Sequence, residues 1–173
     1  TPYGYGMVKV DKDSRVLWTY SENAHHDFHV DEQGYIYTLI HKIQVKPVKG
    51  LEALRYPMLA DYIVKLSPEG KELYRISLLE AFRDSPFALM LFHNQRKDKL
   101  NRNWDPLHTN SIRKLEPSMA DKFPMFKAGQ LLVSIRNMSA VAMIDPDTRQ
   151  VVWAHNGGWR WQQKGSAKPT ITP

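Results

Sequence analysis

The chain has 173 residues, of which 42% are hydrophobic and 24% are charged, and its formal net charge is +6. This composition is typical of a globular domain with its own hydrophobic core and excludes the disordered and fibrous classes. The absence of cysteine excludes disulfides, thiolate metal sites and a cysteine nucleophile. No apolar run reaches the roughly 18 residues of a membrane-spanning helix, so no membrane span is predicted.

The positive charge is scattered, and its densest stretch, Arg96–Arg102, is interrupted by Asp98. We interpret that stretch as a solvated loop and predict no nucleic-acid partner, since phosphate binding needs clustered Lys and Arg. A small anionic ligand explains a mild positive bias equally well. The chain opens on Thr1 and runs at once into a strand pattern, so we expect a mature or excised piece.

A repeated pattern of strand, polar turn and strand ending on an aromatic residue runs along the chain. Proline and glycine at Pro68, Gly70 and Pro146 suit the turn positions, so each repeat predicts a β-hairpin. The three segments are Val8–Trp18, Val64–Tyr74 and Ala142–Trp153.

A second pattern places a glycine turn before a nearly continuous apolar strand, in 31–41 and 127–136. Such strands suit positions that are buried on both faces of a sheet. Seven residues after the glycine, each segment reaches a basic side chain, His41 in the first and Arg136 in the second. In a propeller blade, strands of this kind are the inner strands.

One segment breaks the β pattern. Ser77 and Glu80 have the spacing of a capping box, and Pro86 divides the apolar stretch that follows. The pattern predicts a short helical insertion at about 77–91, with loops at 43–57 and 96–104.

Together the repeats predict an all-β protein of the β-propeller kind. At roughly 40–50 residues a blade, the chain holds about three to four blades. We expect a partial propeller over residues 1–164, followed by an irregular C-terminal tail at 165–173. An open propeller exposes two sheet edges, so another chain that completes it is a possible partner.

Histidines cluster at corresponding points of the repeat, at His25, His26 and His29 and again at His108. The first group is compatible with a turn of hydrogen-bonded side chains, with a metal site, or with binding or transfer of an anionic group. No second cluster with ligand spacing completes a metal site, so no metal is predicted. A propeller would bring both segments to the same end of its axial channel.

The triplet His108, Thr109 and Asn110 offers an imidazole, a hydroxyl and an amide for the oxygens of a sulfate, phosphate or carboxylate. Arg136 adds a forked positive charge. The alternative is structural: Thr109 and Asn110 satisfy backbone groups in a turn, and Arg136 pairs with an acid. Residue types alone do not separate the two.

Several stretches, in this order, resemble the bacterial arylsulfate sulfotransferases, whose fold is a six-bladed β-propeller. They are HHDF with DEQGYIYTL, DYIVKLSPEGKELYRISLLEAF, DPLHTNSI, AGQLLVSIRNMSAVAMIDPDTRQVVW and GGWRWQ, and they cover most of 6–162. The resemblance implies transfer of a sulfuryl group between phenols, without a cofactor, in the periplasm or outside the cell. It also implies catalytic roles for His26, His108 and Arg136, and substrate binding by Thr109 and Asn110.

One departure from the family pattern bears on activity. The resemblance places the nucleophilic histidine just after the tryptophan-rich turn, where this chain has Gln163. A neutral amide does not form a useful sulfuryl-enzyme intermediate. Two hypotheses follow: an arylsulfotransferase-like protein, inactive if this position is essential, or a non-catalytic module that binds a protein partner or an anionic ligand.

Overall fold

The structure, a computed structural model, describes residues 4–92, 96–97 and 104–157. These residues form twelve strands, two short α-helices and two 3₁₀ helices. The first six strands are β1 (Met7–Val10), β2 (Val16–Tyr20), β3 (Ala24–Val30), β4 (Ile36–Gln44), β5 (Met58–Leu66) and β6 (Glu72–Ser77). The others are β7 (Arg96–Lys97), β8 (Trp104–Asp105), β9 (Thr109–Lys114), β10 (Leu131–Ile135), β11 (Ala140–Asp145) and β12 (Gln150–Asn156). The α-helices are α1 (Leu78–Arg83) and α2 (Pro117–Ala120), and the 3₁₀ helices are Ala88–Phe92 and Arg136–Met138.

Two four-stranded antiparallel meanders dominate the fold. The first meander, β3–β4–β5–β6, belongs to a six-stranded sheet that β8 and β7 complete, and the second, β9–β10–β11–β12, is a sheet of its own. A separate hairpin, β1–β2, precedes them. The predicted all-β class is confirmed, and the four-stranded meander is the unit of a propeller blade. The number of blades stays a prediction.

The three hairpins predicted from turn chemistry are confirmed as β1–β2, β5–β6 and β11–β12. The turn of β5–β6 is closed by the N–H of Gly70, which donates to the Ser67 carbonyl at 2.9 Å. Gly70 has φ +81°, a conformation that side chains with a Cβ rarely adopt. The turn residues therefore fix where these strands reverse.

The prediction that the continuous apolar strands are buried on both faces holds for β4 but not for β10. In β4, Leu39 belongs to the main core between the two sheets, while Ile40 belongs to a smaller cluster beneath β2. In β10, Val133 is fully buried but Leu132 is 38% exposed. Burial on both faces requires a layer on each side, and a strand's own sequence does not show whether that layer exists.

The helical segment closes the main core. The Ser77 side chain accepts a hydrogen bond from the Glu80 N–H at 3.3 Å, which confirms the predicted cap of α1. Leu78, Leu79 and Phe82 are at most 1% exposed and pack with core residues of both sheets. Burying such side chains contributes about 1.5–3 kcal/mol each before entropy is subtracted.

Two predicted loops contain strand. Residues 96–104 include β7 and the start of β8, which pair with each other. Trp104 also lies beside Met58 of β5 in parallel register, and its N–H donates to the Pro57 carbonyl at 3.0 Å. The loop predicted at 43–57 loses its first two residues to β4. These segments gain their hydrogen bonds from the edge of an existing sheet, a tertiary effect that local propensity does not contain.

The first strands of the two sheets, β3 and β9, lie side by side in separate sheets. Polar side chains link them along their length. Asp27 accepts from the Ile112 N–H at 3.1 Å, Lys114 contacts Asp31 at 2.9 Å, and His29 contacts Glu116 at 3.1 Å. This arrangement places the beginnings of both strands at the same end of the molecule.

The β1–β2 hairpin is attached to the first sheet through Trp18. Its indole N–H donates to the Pro68 carbonyl at 3.0 Å, and its ring covers Gly70. A Cβ added at Gly70 would lie 2.4 Å from Trp18 Cδ2, whereas a Cβ at Gly129, which also has positive φ, meets nothing within 4 Å.

We predict that Gly70→Ala destabilises the chain more than Gly129→Ala. Both substitutions impose the strain of a left-handed alanine, about 1–2 kcal/mol. Only Gly70→Ala also forces Trp18 to move, which adds about 1–3 kcal/mol of overpacking. Urea unfolding of both variants measures the difference, and equal losses would show that Trp18 does not press on this turn.

Candidate functional site

Four imidazoles form a row at the common end of β3 and β9. His25 and His26 lie at the start of β3, His41 lies in β4, and His108 immediately precedes β9. The ring centroids of His41 and His25, of His25 and His26, and of His26 and His108 are each 5.0 Å apart. The structure thus brings together the two histidine segments that the repeat placed at corresponding points.

The backbone at His26 is bulged, and its side chain lies beside that of His25, with the two Nδ1 atoms 2.8 Å apart, whereas neighbouring side chains of a regular strand point to opposite faces. In the pairing of β3 with β4, His25 lies opposite Leu39 and Phe28 opposite Thr38, so two residues are left over between them. His26 has φ +59°. Of the alternatives left open for this segment, the turn does not form, because these residues lie in a bulged strand. His29, further along β3, contacts Glu116 instead of the row.

The backbone at His108 has the same left-handed conformation, with φ +52°. It is held from behind by the segment that follows β10. The N–H groups of Arg136 and Asn137 donate to the carbonyls of His108 and Leu107 at 3.2 and 3.0 Å. The Asn137 amide also donates to the Asp105 carbonyl at 2.7 Å. The chain entering β9 is therefore fastened to β10, which places Arg136 beside His108.

His108 lies between an acid and a guanidinium. Its Nδ1 is 2.5 Å from Asp105 Oδ2, and its Nε2 is 3.3 Å from an Arg136 Nη1 atom. Since arginine only donates, a neutral His108 carries its proton on Nδ1 and accepts from Arg136 at Nε2. The hydrogen bond with Asp105 raises the pKa of His108 despite partial burial. The predicted structural alternative, an Arg136–acid pair, is not formed among the described residues.

A buried carboxyl lies beneath the row. Asp61 of β5 accepts from the Thr109 N–H at 2.8 Å, and its other oxygen is 3.9 Å from His25 Nε2. Burial raises the pKa of Asp61 to about 7. Burial, reinforced by His41 and His26, lowers the pKa of His25 to about 3. At neutral pH, His25 is therefore uncharged.

Unsatisfied polar atoms gather at this site. Buried side-chain atoms without a hydrogen-bond partner include His25 Nε2, Asp105 Oδ1 and Asn110 Oδ1, and every such atom in the described ranges belongs to the cluster. Buried polar groups are normally paired, so a local excess marks a functional position. Within the part of the chain that the structure describes, no group of three or more His, Cys, Asp or Glu is arranged to hold a metal ion.

The sequence located some members of this site and missed others. It predicted His26, His108 and Arg136, which adjoin one another, and Thr109 and Asn110, of which Thr109 is fully buried. It did not predict Asp61 or Asp105. For Asp61 the available signal was an acid inside the apolar strand β5; for Asp105 it was an acid three residues before a histidine.

The chain matches the family model described as Arylsulfotransferase (ASST) over residues 1–165. The chain belongs to the arylsulfotransferase family. No curated protein and no solved structure matched it. In this arylsulfotransferase-family chain, Gln163, where the resemblance places the nucleophile, and the predicted tail at 165–173 lie outside the described residues.

We predict that Asp105→Asn lowers the pKa of His108, because the charge-assisted hydrogen bond that favours its protonated form is lost. NMR titration of the His108 ring protons measures the change. Glu116→Gln is the matched control, since it removes the acid from the separate His29 contact. A His108 pKa that moves as far in the control as in Asp105→Asn would contradict the assignment.

We also predict that Asp61→Asn changes how stability depends on pH. In the parent, Asp61 titrates near 7 in the folded chain but at about 3.9 when unfolded, so it lowers the free energy of unfolding as pH rises between these values. His25, titrating near 3 when folded and at about 6.5 when unfolded, acts oppositely, and stability falls as pH falls through that window.

Because His25 is present in both proteins, the difference between Asp61→Asn and the parent isolates Asp61. The unfolding free energy of the variant relative to the parent should rise steadily from pH 4 to pH 7. Urea unfolding at several pH values tests this, and parallel profiles would show that the carboxyl is ionised throughout.

Proposed function

We propose that this chain binds the sulfate group of an aryl sulfate at the His26, His108 and Arg136 cluster, as part of sulfuryl transfer between phenolic compounds. The observation that carries the proposal is the contact of Arg136 with His108 Nε2. Family membership supports a sulfotransferase-like activity.

The cluster suits an oxyanion because its donors are held together before a ligand arrives. Arg136 is exposed and donates to His108. An anion that accepts from Arg136 releases His108, which then donates from Nε2 once it is protonated, as its raised pKa favours. Two charged donors converge on the sulfuryl oxygens and stabilise charge that develops there. Asp105 stabilises the protonated imidazole.

An apolar groove next to the cluster suits the aromatic part of the substrate. The groove has a volume of about 830 Å³ and begins at His25 and His26. It runs between β1 and β3, and apolar side chains such as Val8, Phe28 and Ile36 line it. Burial of an aryl ring against these side chains favours binding by the hydrophobic effect.

The residues divide into two roles. His26, His108 and Arg136 are proposed to contact the sulfuryl group, with Asn110 at the edge of the cluster. Thr109 is buried and holds the site through its N–H bond to Asp61. No cofactor is required for this chemistry. A periplasmic or secreted location is part of the proposal and rests on the resemblance; among the described residues, no helix is long and apolar enough to cross a membrane.

We predict that Arg136→Ala weakens binding of an aryl sulfate tenfold or more, since a hydrogen bond to a charged group contributes about 1.5–3 kcal/mol. Isothermal titration calorimetry with 4-nitrophenyl sulfate measures the affinity. Arg15→Ala, which removes an equal charge from the exposed β1–β2 turn, is the matched control. If both variants bind as tightly as the parent, the sulfate does not lie at this site.

Gln163 favours a second candidate, in which the module binds the ligand without transferring its sulfuryl group. The two candidates are separated by phenol release from 4-nitrophenyl sulfate, with a phenol acceptor, between pH 6 and 9. Turnover by the parent supports transfer. Binding without release by the parent, together with phenol release by Gln163→His, assigns the missing step to that position. Binding without release in both proteins supports the binding module.

A further inference from the structure

Asp61 occupies an unusual position for an acid. It lies in the middle of β5, beside His41 in the register of β4 with β5, and is 2% exposed. One of its oxygens is committed to the Thr109 N–H across the junction between the two sheets. The other oxygen is 3.9 Å from His25 Nε2, which has no hydrogen-bond partner.

His25 connects this acid to the exposed side of the site. Its Nδ1 is 2.8 Å from the Nδ1 of His26. When both rings are neutral, one of these two nitrogens carries a proton and the other accepts it. The choice made at this single contact fixes the tautomers of both rings, because a neutral imidazole carries one ring proton.

Two arrangements satisfy the contact. In the first, His25 carries its proton on Nε2, towards Asp61, and accepts at Nδ1 from His26, whose Nε2 then holds a lone pair. In the second, His25 donates from Nδ1 to His26, whose proton then lies on Nε2. The Nε2 of His26 is the nitrogen left for a ligand, since its Nδ1 is occupied by His25.

We infer that Asp61 is a positioning residue that acts through His25 to set which ring nitrogen of His26 carries the proton. An ionised Asp61 attracts the N–H of His25 Nε2 and so leaves a lone pair on His26 Nε2. A protonated Asp61 turns its O–H towards His25 Nε2 and so places a proton on His26 Nε2. The two states differ by one proton on Asp61; within the histidine pair, protons only change places.

Other groups around Asp61 and His25 shift the ionisation of both residues, but none takes the place of Asp61 in the switch. Asp105 opposes its ionisation and His108 favours it. His41, His26 and His108 oppose a positive charge on His25, and the carbonyl of Ile40 favours one. Both rings therefore stay neutral where Asp61 titrates, since the pKa of His26 is also lowered. The switch falls near pH 7, the pKa to which burial raises Asp61.

The effect of this tautomer change on sulfuryl transfer rests on the function proposed above. The tautomer change itself does not. Above the switch, His26 presents a base; below it, a hydrogen-bond donor suited to a sulfuryl oxygen. A buried acid thus selects between two chemical roles of an exposed histidine.

The test is ¹⁵N NMR of the full chain labelled at histidine, with His26 assigned by the loss of its signals in His26→Gln. Ring-nitrogen shifts distinguish protonated from unprotonated nitrogens. In the parent, His26 Nε2 should change from protonated to unprotonated as pH rises through about 7. Asp61→Asn mimics the protonated acid, and its Nε2 should stay protonated at all pH values between 6 and 8.5.

Asp145→Asn is the control, since it removes a carboxylate at the end of β11, where Asp145 Oδ1 accepts from the Asp147 N–H; it should behave as the parent does. The same His26 tautomer throughout in the parent would overturn the inference, even if Asp61→Asn failed to fold. A tautomer change that persists in Asp61→Asn would overturn it as well.

Activity separates this inference from the proposed function. If the parent releases phenol, Asp61→Asn should lose the change in kcat near pH 7 while KM stays within twofold. A parent without activity but with the tautomer switch would contradict the transfer function and support the role of Asp61. A parent that is active but shows no tautomer switch would support the transfer function and contradict the role of Asp61.

Discussion

The junction between β3 and β9 carries most of what is distinctive in this molecule. The two strands belong to different sheets, so no ladder of backbone hydrogen bonds joins them. Their contact depends on a few polar pairs, among them Asp27 with the Ile112 N–H and Lys114 with Asp31. Such pairs need precise geometry, because a buried charge that loses its partner is costly. These contacts fix how the two sheets are aligned with each other, and this alignment brings His26 and His108 together.

Strain and incomplete hydrogen bonding are concentrated at one end of this junction. His26 and His108 both have positive φ, which costs a non-glycine residue roughly 1–3 kcal/mol. Several buried polar atoms nearby lack partners. The remainder of the two sheets offsets this cost through its common core, in which Phe82 and Leu79 of α1 pack between strands of both meanders. The hydrophobic core stabilises the fold enough to tolerate a strained and incompletely hydrogen-bonded site, as is usual for functional positions.

The sequence was informative where structure is decided locally. Turn residues such as Pro68 and Gly70 define a hairpin through their own backbone preferences, and Ser77 defines a helix start through its own side chain. It was silent where structure is decided by distant partners. No residue near Trp104 in the sequence indicates that its N–H donates a hydrogen bond to the Pro57 carbonyl. The exposure of Leu132 depends on layers beyond its own sheet.

The same division applies to the site. His108 and Arg136 were found because their residue types and order suggest anion chemistry. Asp61 was missed because an acid in an apolar strand, although unusual, does not show which residues it contacts. Its raised pKa is created by burial, and its partners Thr109 and His25 come from two other strands. Patterns in one segment do not contain a property that three segments create together.

The left-handed histidine near the start of each sheet has an evolutionary consequence. His26 and His108 occupy equivalent left-handed positions, and each sheet contributes one such side chain to the shared end. Duplication of a sheet would therefore copy both the strands and the left-handed position that presents one side chain to the shared end. A substitution at one of these left-handed positions changes one side chain of the site and leaves the position in the other sheet unchanged. New specificities can be assembled in this architecture one sheet at a time.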